Sequence, residues 1–256
     1  MNRLGILFLH RFGGSSHSWD DVLARLEPGF EVATPDLPGF GSAAGAGGPF
    51  DVGAYADAAA SALQAMTSDK LLVVGHSMGG KIALALAARR PARLAGLVLL
   101  SPSPPTAEPM TDAERSAALE GWGDPGYVSA SIERTTAMPI GSDARATEMA
   151  GMLQTSAPAW RSWFEEGSLE DISNAMANIE VPAMILCGTA DRTIPIAVLR
   201  SEVAARLVDA EIIEIPGAGH LLPVEAADMV AEAISRLSNF RAGQSTTALP
   251  PSELPD

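Results

Sequence analysis

The stretch Gly75-His76-Ser77-Met78-Gly79-Gly80 carries the clearest chemical content in the chain. It follows an apolar run at residues 71–74 and opens a helix-compatible segment, 78–90. In that setting the glycines leave room for a sharp, strained strand-to-helix turn. Such a turn lifts the Ser77 hydroxyl above a sheet edge, at a helix N-terminus that favours developing negative charge. A hydroxyl is a poor nucleophile until a base takes its proton. The histidines on offer are His10, His17, His76 and His220. His76 adjoins Ser77 and is expected to point away from the hydroxyl. His220 lies in Pro216-Gly-Ala-Gly-His-Leu-Leu222, just after an expected strand, so it shares the carboxyl edge of the sheet with Ser77. It is the candidate base. Asp191, in Gly188-Thr-Ala-Asp-Arg-Thr-Ile-Pro195, also follows a strand end and is the candidate carboxylate to orient that base. Asp209 precedes a strand and Asp228 lies on a helix, which suits neither to the role. Two backbone N–H groups are the candidate donors to an oxyanion. One belongs to Met78, next after the nucleophile; the other to Phe12, in the loop His10-Arg-Phe-Gly-Gly-Ser15.

The elements that must position these residues can be read from hydrophobic pattern. Residues 4–9, 71–74, 94–100, 183–187 and 210–215 are short apolar runs of the kind that form strands buried on both faces. Between and after them lie helix-compatible segments at 51–66, 78–90, 197–207 and 224–237. The alternation predicts an α/β fold with a mostly parallel sheet flanked by helices. Residues 104–178 break it, with no convincing strand and three of the four tryptophans: Trp122, Trp160 and Trp163. The expected organisation is a core of residues 1–103 and 179–240, a helical insertion at 104–178, and a disordered Pro/Ser/Thr tail at 241–256. Within the insertion, Met110, Met138, Met149, Met152 and Met176 could line an adaptable apolar pocket or simply fill the core.

Composition narrows the function classes. At 47% apolar and 19% charged residues the chain reads as globular. Seventeen Lys and Arg against 31 Asp and Glu give a net charge of −14, which argues against electrostatic affinity for nucleic acid or anionic lipid. Twelve acids against four bases fall in 104–178, about −8 of that total. No apolar run approaches a membrane span, no secretory leader is legible, and the lone Cys187 fits a reducing compartment, so a cytoplasmic location is expected. Zinc-type Cys/His spacing is absent, Lys81 is followed by Ile82 rather than a P-loop Ser or Thr, and Gly217-Ala-Gly219 runs into His220. Neither a metal nor a cofactor is expected, and the partner is a small-molecule substrate.

Across residues 4–240 the sequence resembles the α/β-hydrolase-fold serine hydrolases, in particular compact esterase- and lipase-like members with a helical cap. The likeness rests on the loop after the first strand, on Pro35-Asp-Leu-Pro-Gly-Phe-Gly-Ser42, on the Ser77 turn, and on the Asp191 and His220 loops. It implies Ser77 as nucleophile, His220 as base, Asp191 as orienting acid, and a structural role for Asp36. The implied activity is cofactor-free ester hydrolysis through an acyl-enzyme. The same residues acting on a lactone, thioester or carbon–carbon bond, and a non-catalytic binding module of this fold, are the alternatives. Two departures stand out. The chain begins almost at the first strand, which implies about six strands rather than eight. Arg11 also stands where the family usually has Gly, a residue free to take positive φ; Arg in that conformation costs roughly 1–2 kcal/mol. Arg11 either points outward to pair with an acid of the insertion or faces the pocket and favours carboxylate-bearing substrates.

Overall fold

The computed structural model describes residues 4–242; the expected tail at 241–256 lies, apart from its first two residues, outside the described residues. Six strands form one wholly parallel sheet in the order β2-β1-β3-β4-β5-β6. They are β1 (Leu4–Leu9), β2 (Glu31–Ala33), β3 (Lys70–His76), β4 (Leu94–Leu100), β5 (Ala183–Gly188) and β6 (Ala210–Ile215). Five coincide with the apolar runs. β2 was invisible to that reading because it is three residues long, sits at the edge and leaves Val32 41% exposed.

Side chains alternate across a strand, and here the alternation divides the core in two. Leu7, Leu9, Val73, Leu97, Leu99 and Ile185 face one side. Against them pack α2 (Val52–Ala65) and α3 (Met78–Ala88), through Tyr55, Ala59, Leu63, Ile82 and Leu86. Ile6, Phe8, Leu72, Val74, Val98 and Leu186 face the other. That face is covered by α1 (Asp20–Leu23) and by a pair of helices near the C-terminus, through Val22, Leu222, Val230, Ile234 and Leu237. Strands buried on both faces have no polar side to show, which is why they read as unbroken apolar runs.

Between β4 and β5 the described chain holds no strand but α4 (Asp112–Glu120), α5 (Pro125–Thr135), α6 (Ser142–Gln154) and α7 (Ala157–Ser162). Two helices depart from expectation. The segment 197–207 is not one α-helix: α8 (Ile196–Val198) passes into a π-helical turn at Leu199–Val203 and a 3-10 turn at Ala204–Arg206. Leu199 and Val203 of the wide turn are buried, as is Leu207, which follows the 3-10 turn in extended backbone. The segment 224–237 is two helices, α9 (Leu222–Glu225) and α10 (Ala227–Ala242). They part at Ala226, immediately after Glu225, whose carboxylate is turned back onto backbone N–H groups. Among the described residues no helix is long and apolar enough to cross a membrane.

Candidate active site

Ser77 follows β3 and caps α3 with φ 53° and ψ −116°, a conformation a non-glycine residue holds only under constraint. The constraint is close packing. A Cβ at Gly79 would stand 2.1 Å from the Leu9 carbonyl oxygen, so only glycine lets α3 start this near β1. The hydroxyl is thereby held at the carboxyl edge of the sheet.

The structure brings Ser77, His220 and Asp191 into one hydrogen-bonded line. Ser77 Oγ lies 2.9 Å from His220 Nε2, and His220 Nδ1 lies 2.8 Å from Asp191 Oδ2. The other Asp191 oxygen accepts from the N–H groups of Thr193 (2.8 Å) and Ile194 (3.0 Å), leaving Oδ2 to receive Nδ1–H. That bond fixes the tautomer whose Nε2 lone pair faces the Ser77 hydroxyl. All three residues are buried. Burial alone would raise the Asp191 carboxyl, but the facing His220 and the Ile194 N–H reverse this and hold it below the usual carboxylate range.

The backbone of His220 is held from two directions. Its carbonyl accepts from His76 Nε2–H at 2.8 Å, and its N–H donates to the Thr135 carbonyl of α5 at 2.8 Å. His76 does point away from the Ser77 hydroxyl, and its ring has a job of its own. Burial, with the neighbouring His220 and Arg11 adding to it, pushes its ionisation well below the ordinary histidine range, so it stays a neutral donor. His10 is likewise buried; its Nδ1–H donates to the Arg11 carbonyl (2.7 Å) and its Nε2 accepts from Leu37 N–H (3.0 Å). His17 is on the surface beside Asp20.

Met78 is the first residue of α3, so its N–H has no carbonyl one turn back to bond. Phe12 lines the same cavity as Ser77, its ring against Phe40, Trp160 and Phe164. Arg11 escapes the expected strain: positive φ in this loop falls on Gly13 (φ 67°) instead. It does pair with an acid of the insertion, Glu148, but the pair is buried rather than partly exposed. Nε and Nη2 donate to Glu148 and Nη1 to the Phe12 carbonyl (2.6 Å), while the residue also borders the cavity over Ser77.

Over Ser77 and His220 lies a cavity of about 570 Å³, walled mainly by the helical segment through Met110, Tyr127, Met152, Trp160 and Trp163. Of the five methionines considered, Met110 and Met152 reach it. Met176 is fully in the core and Met138 is largely exposed. Glu108 also reaches the cavity; burial pushes its carboxyl up, and it accepts from the Ser103 hydroxyl. Asp36 is structural, bonding the N–H of Ser16 (2.6 Å) and of Ser42 (2.7 Å). Cys187 is a core residue whose thiol burial pushes up to about 11. Among the described residues no three His, Cys, Asp or Glu side chains gather as a metal-binding set.

Sequence reasoning passed over Glu225. Its carboxylate accepts from the N–H groups of Gly219 and Leu221, which flank His220, and of Ala137 and Met138 beyond α5. In the sequence it is one acid among several in an amphipathic stretch, and nothing local marks it.

A parallel sheet with a strained serine at a strand-to-helix turn, and a histidine and an aspartate from later strand ends, defines the architecture of a hydrolase of one known kind. The chain belongs to the alpha/beta hydrolase family, whose model it matches over residues 6–233. It is 29% identical over 240 residues to a pimeloyl-(acyl-carrier protein) methyl ester esterase of Aromatoleum aromaticum, covering 86% of this chain and 92% of that one. An esterase from Exiguobacterium antarcticum shares the fold with a TM-score of 0.83 at 18% identity, over 93% of each chain. The enol-lactonase of Burkholderia xenovorans LB400 does so with a TM-score of 0.77 at 22% identity, over 93% of this chain and 92% of that one.

Proposed function

We propose that the chain is a carboxylic ester hydrolase working through an acyl-enzyme on Ser77, with residues 104–178 as a cap over the substrate. The observation that carries this reading is the line Ser77–His220–Asp191, at 2.9 and 2.8 Å, beneath a largely apolar cavity. Ser77 Oγ attacks the ester carbonyl while His220 Nε2 takes its proton. The oxyanion that forms is met by the N–H groups of Met78 and Phe12, fixed dipoles that need no rearrangement as charge develops. His220 then returns the proton to the departing alkoxide, and a water activated by the same nitrogen releases the acid. Asp191 keeps the ring in its tautomer and stabilises the imidazolium. No step calls on a metal or cofactor. The relative from Aromatoleum aromaticum, named for a methyl ester, supports an ester with a small alcohol portion.

Ser77→Ala and His220→Ala should each lower kcat on an accepted p-nitrophenyl ester by about 10⁴-fold or more with folding intact. Retention of more than a tenth of the rate by Ser77→Ala would overturn the mechanism. A parallel screen of lactones and acyl thioesters assigns the acyl group if these are cleaved faster. Failure of a fluorophosphonate to label Ser77 would favour a non-catalytic binding module.

A further inference from the structure

We infer that Arg11 and Glu148 form a buried clamp through which cap helix α6 holds the Phe12–Gly13 peptide and so steadies the adjoining peptide that carries the Phe12 N–H, making them positioning residues for the oxyanion donor. The inference rests on the ester-hydrolase reading above for the use to which that N–H is put.

Each side of Phe12 is pinned. The Arg11 carbonyl accepts from His10 Nδ1–H (2.7 Å) and from Gly14 N–H (3.0 Å). A trans peptide is planar, so holding that carbonyl aims the Phe12 N–H the opposite way. The next carbonyl, that of Phe12, accepts from Arg11 Nη1 at 2.6 Å. The guanidinium is in turn fixed from α6: Nε donates to Glu148 Oε2 at 2.8 Å, and Nη2 donates to the same oxygen. The pair is almost wholly shielded, with side-chain exposures of 9% and 3%.

The contact between α6 and the loop is close along its length. A Cβ at Gly151 would stand 2.7 Å from the Gly13 carbonyl oxygen, and one at Gly13 would stand 2.7 Å from Met152 Cγ. A helix seated this tightly, bearing the carboxylate that the Arg11 guanidinium bonds, couples the cap to the geometry of the oxyanion loop. Arg, with a planar fork of five donors, serves Glu148 and the Phe12 carbonyl from different nitrogens, whereas Lys has a single nitrogen to offer both.

The test uses the full chain with Arg11→Lys, Glu148→Gln and the double variant Arg11→Met/Glu148→Met. The double variant is included because replacing a buried ion pair by apolar residues usually preserves folding where removing one partner does not. Glu133→Gln, which breaks an exposed pair with Arg145 on the same cap, is the control. In the double variant kcat should fall at least tenfold with KM changed less than about twofold, since the donor acts on the transition state. The rate at which a fluorophosphonate phosphonylates Ser77 should fall similarly. In that step the Ser77 Oγ–P bond forms, fluoride leaves and the proton passes to His220, with the phosphoryl oxygen in the oxyanion position. Hydrogen exchange of the Gly14 amide should become at least tenfold faster. Arg11→Lys should shift all three the same way, and Glu133→Gln should shift none. Unchanged Gly14 exchange, or faster exchange with phosphonylation and kcat both retained within about twofold, would overturn the clamp. A wild-type chain that is phosphonylated but cleaves no ester would overturn the ester reading alone, leaving the clamp to be judged on exchange and phosphonylation.

Discussion

Mild acid should destabilise this fold well before its carboxylates are protonated, and His10 is the reason that can be isolated. Its ring is fully buried, with Nδ1–H given to the Arg11 carbonyl and Nε2 accepting from Leu37 N–H. A second proton would have to go on Nε2, where it would meet the Leu37 donor. Burial lowers the ionisation of His10 from 6.5 to about 4. The sign follows from proton counts: between these values the unfolded chain holds a proton that the folded chain refuses, so stability rises with pH. The contribution is fully present above 6.5 and is lost as the pH falls towards 4. At about 1.36 kcal/mol per pH unit the loss from this one ring reaches about 3 kcal/mol, a large part of the 5–15 kcal/mol typical of a domain. His76 is pushed the same way and should add to the slope. Asp36, Asp191 and Glu31 are held below their ordinary range, so their losses begin only near their unfolded values of about 4. Glu108, raised by burial, works in the opposite direction. Urea unfolding from about pH 7.5 to about pH 4.5, for the wild type and His10→Gln, separates these effects because every group but His10 is common to both. The wild-type slope should exceed that of the variant by about 1 kcal/mol per pH unit below pH 6. Superimposable slopes would mean that His10 is protonated in the folded state, and the burial argument would fall.

Glu225→Gln leaves at least one of four N–H groups, two of them buried, without its acceptor, and should destabilise by about 1–3 kcal/mol in thermal or urea unfolding. Because two of those groups flank His220, kcat should fall more than KM rises. Gly79→Ala would put a methyl 2.1 Å from the Leu9 carbonyl oxygen and should give little folded protein, read as loss of the cooperative transition. A normally folded Gly79→Ala chain would refute the account of the Ser77 turn.

Much of the fold was legible because its determinants are local. A strand buried on both faces must be apolar throughout, so β1, β3, β4 and β5 announce themselves; of the two edge strands, β6 still shows Ile212, Ile213 and Ile215 between its exposed glutamates, whereas β2 is only three residues long. The candidate site was legible for a related reason. Each of Ser77, Asp191 and His220 sits at or in the loop just beyond a strand end, and parallel strands deliver their carboxyl ends to one edge of the sheet. The glycine spacing around Ser77 likewise reports a close approach that the adjacent chain imposes.

What surrounds those residues was decided only by the tertiary structure. Arg11 meets Glu148 across 137 residues of chain, and that partner turned a solvent-facing or substrate-facing arginine into a buried clamp. Glu225 was indistinguishable from any surface acid until Ala137 and Met138 came to rest against it. The division of the methionines into Met110 and Met152 at the cavity and Met176 in the core followed the docking of the helices, which no spacing in the sequence specifies. The sequence by itself determined which residues can form strands and which can exchange a proton, because backbone geometry and side-chain chemistry act over a few residues. Which buried charge meets which is set by the approach of distant segments, where the cost of an unpaired ion in low dielectric selects the partner only once the chain has folded.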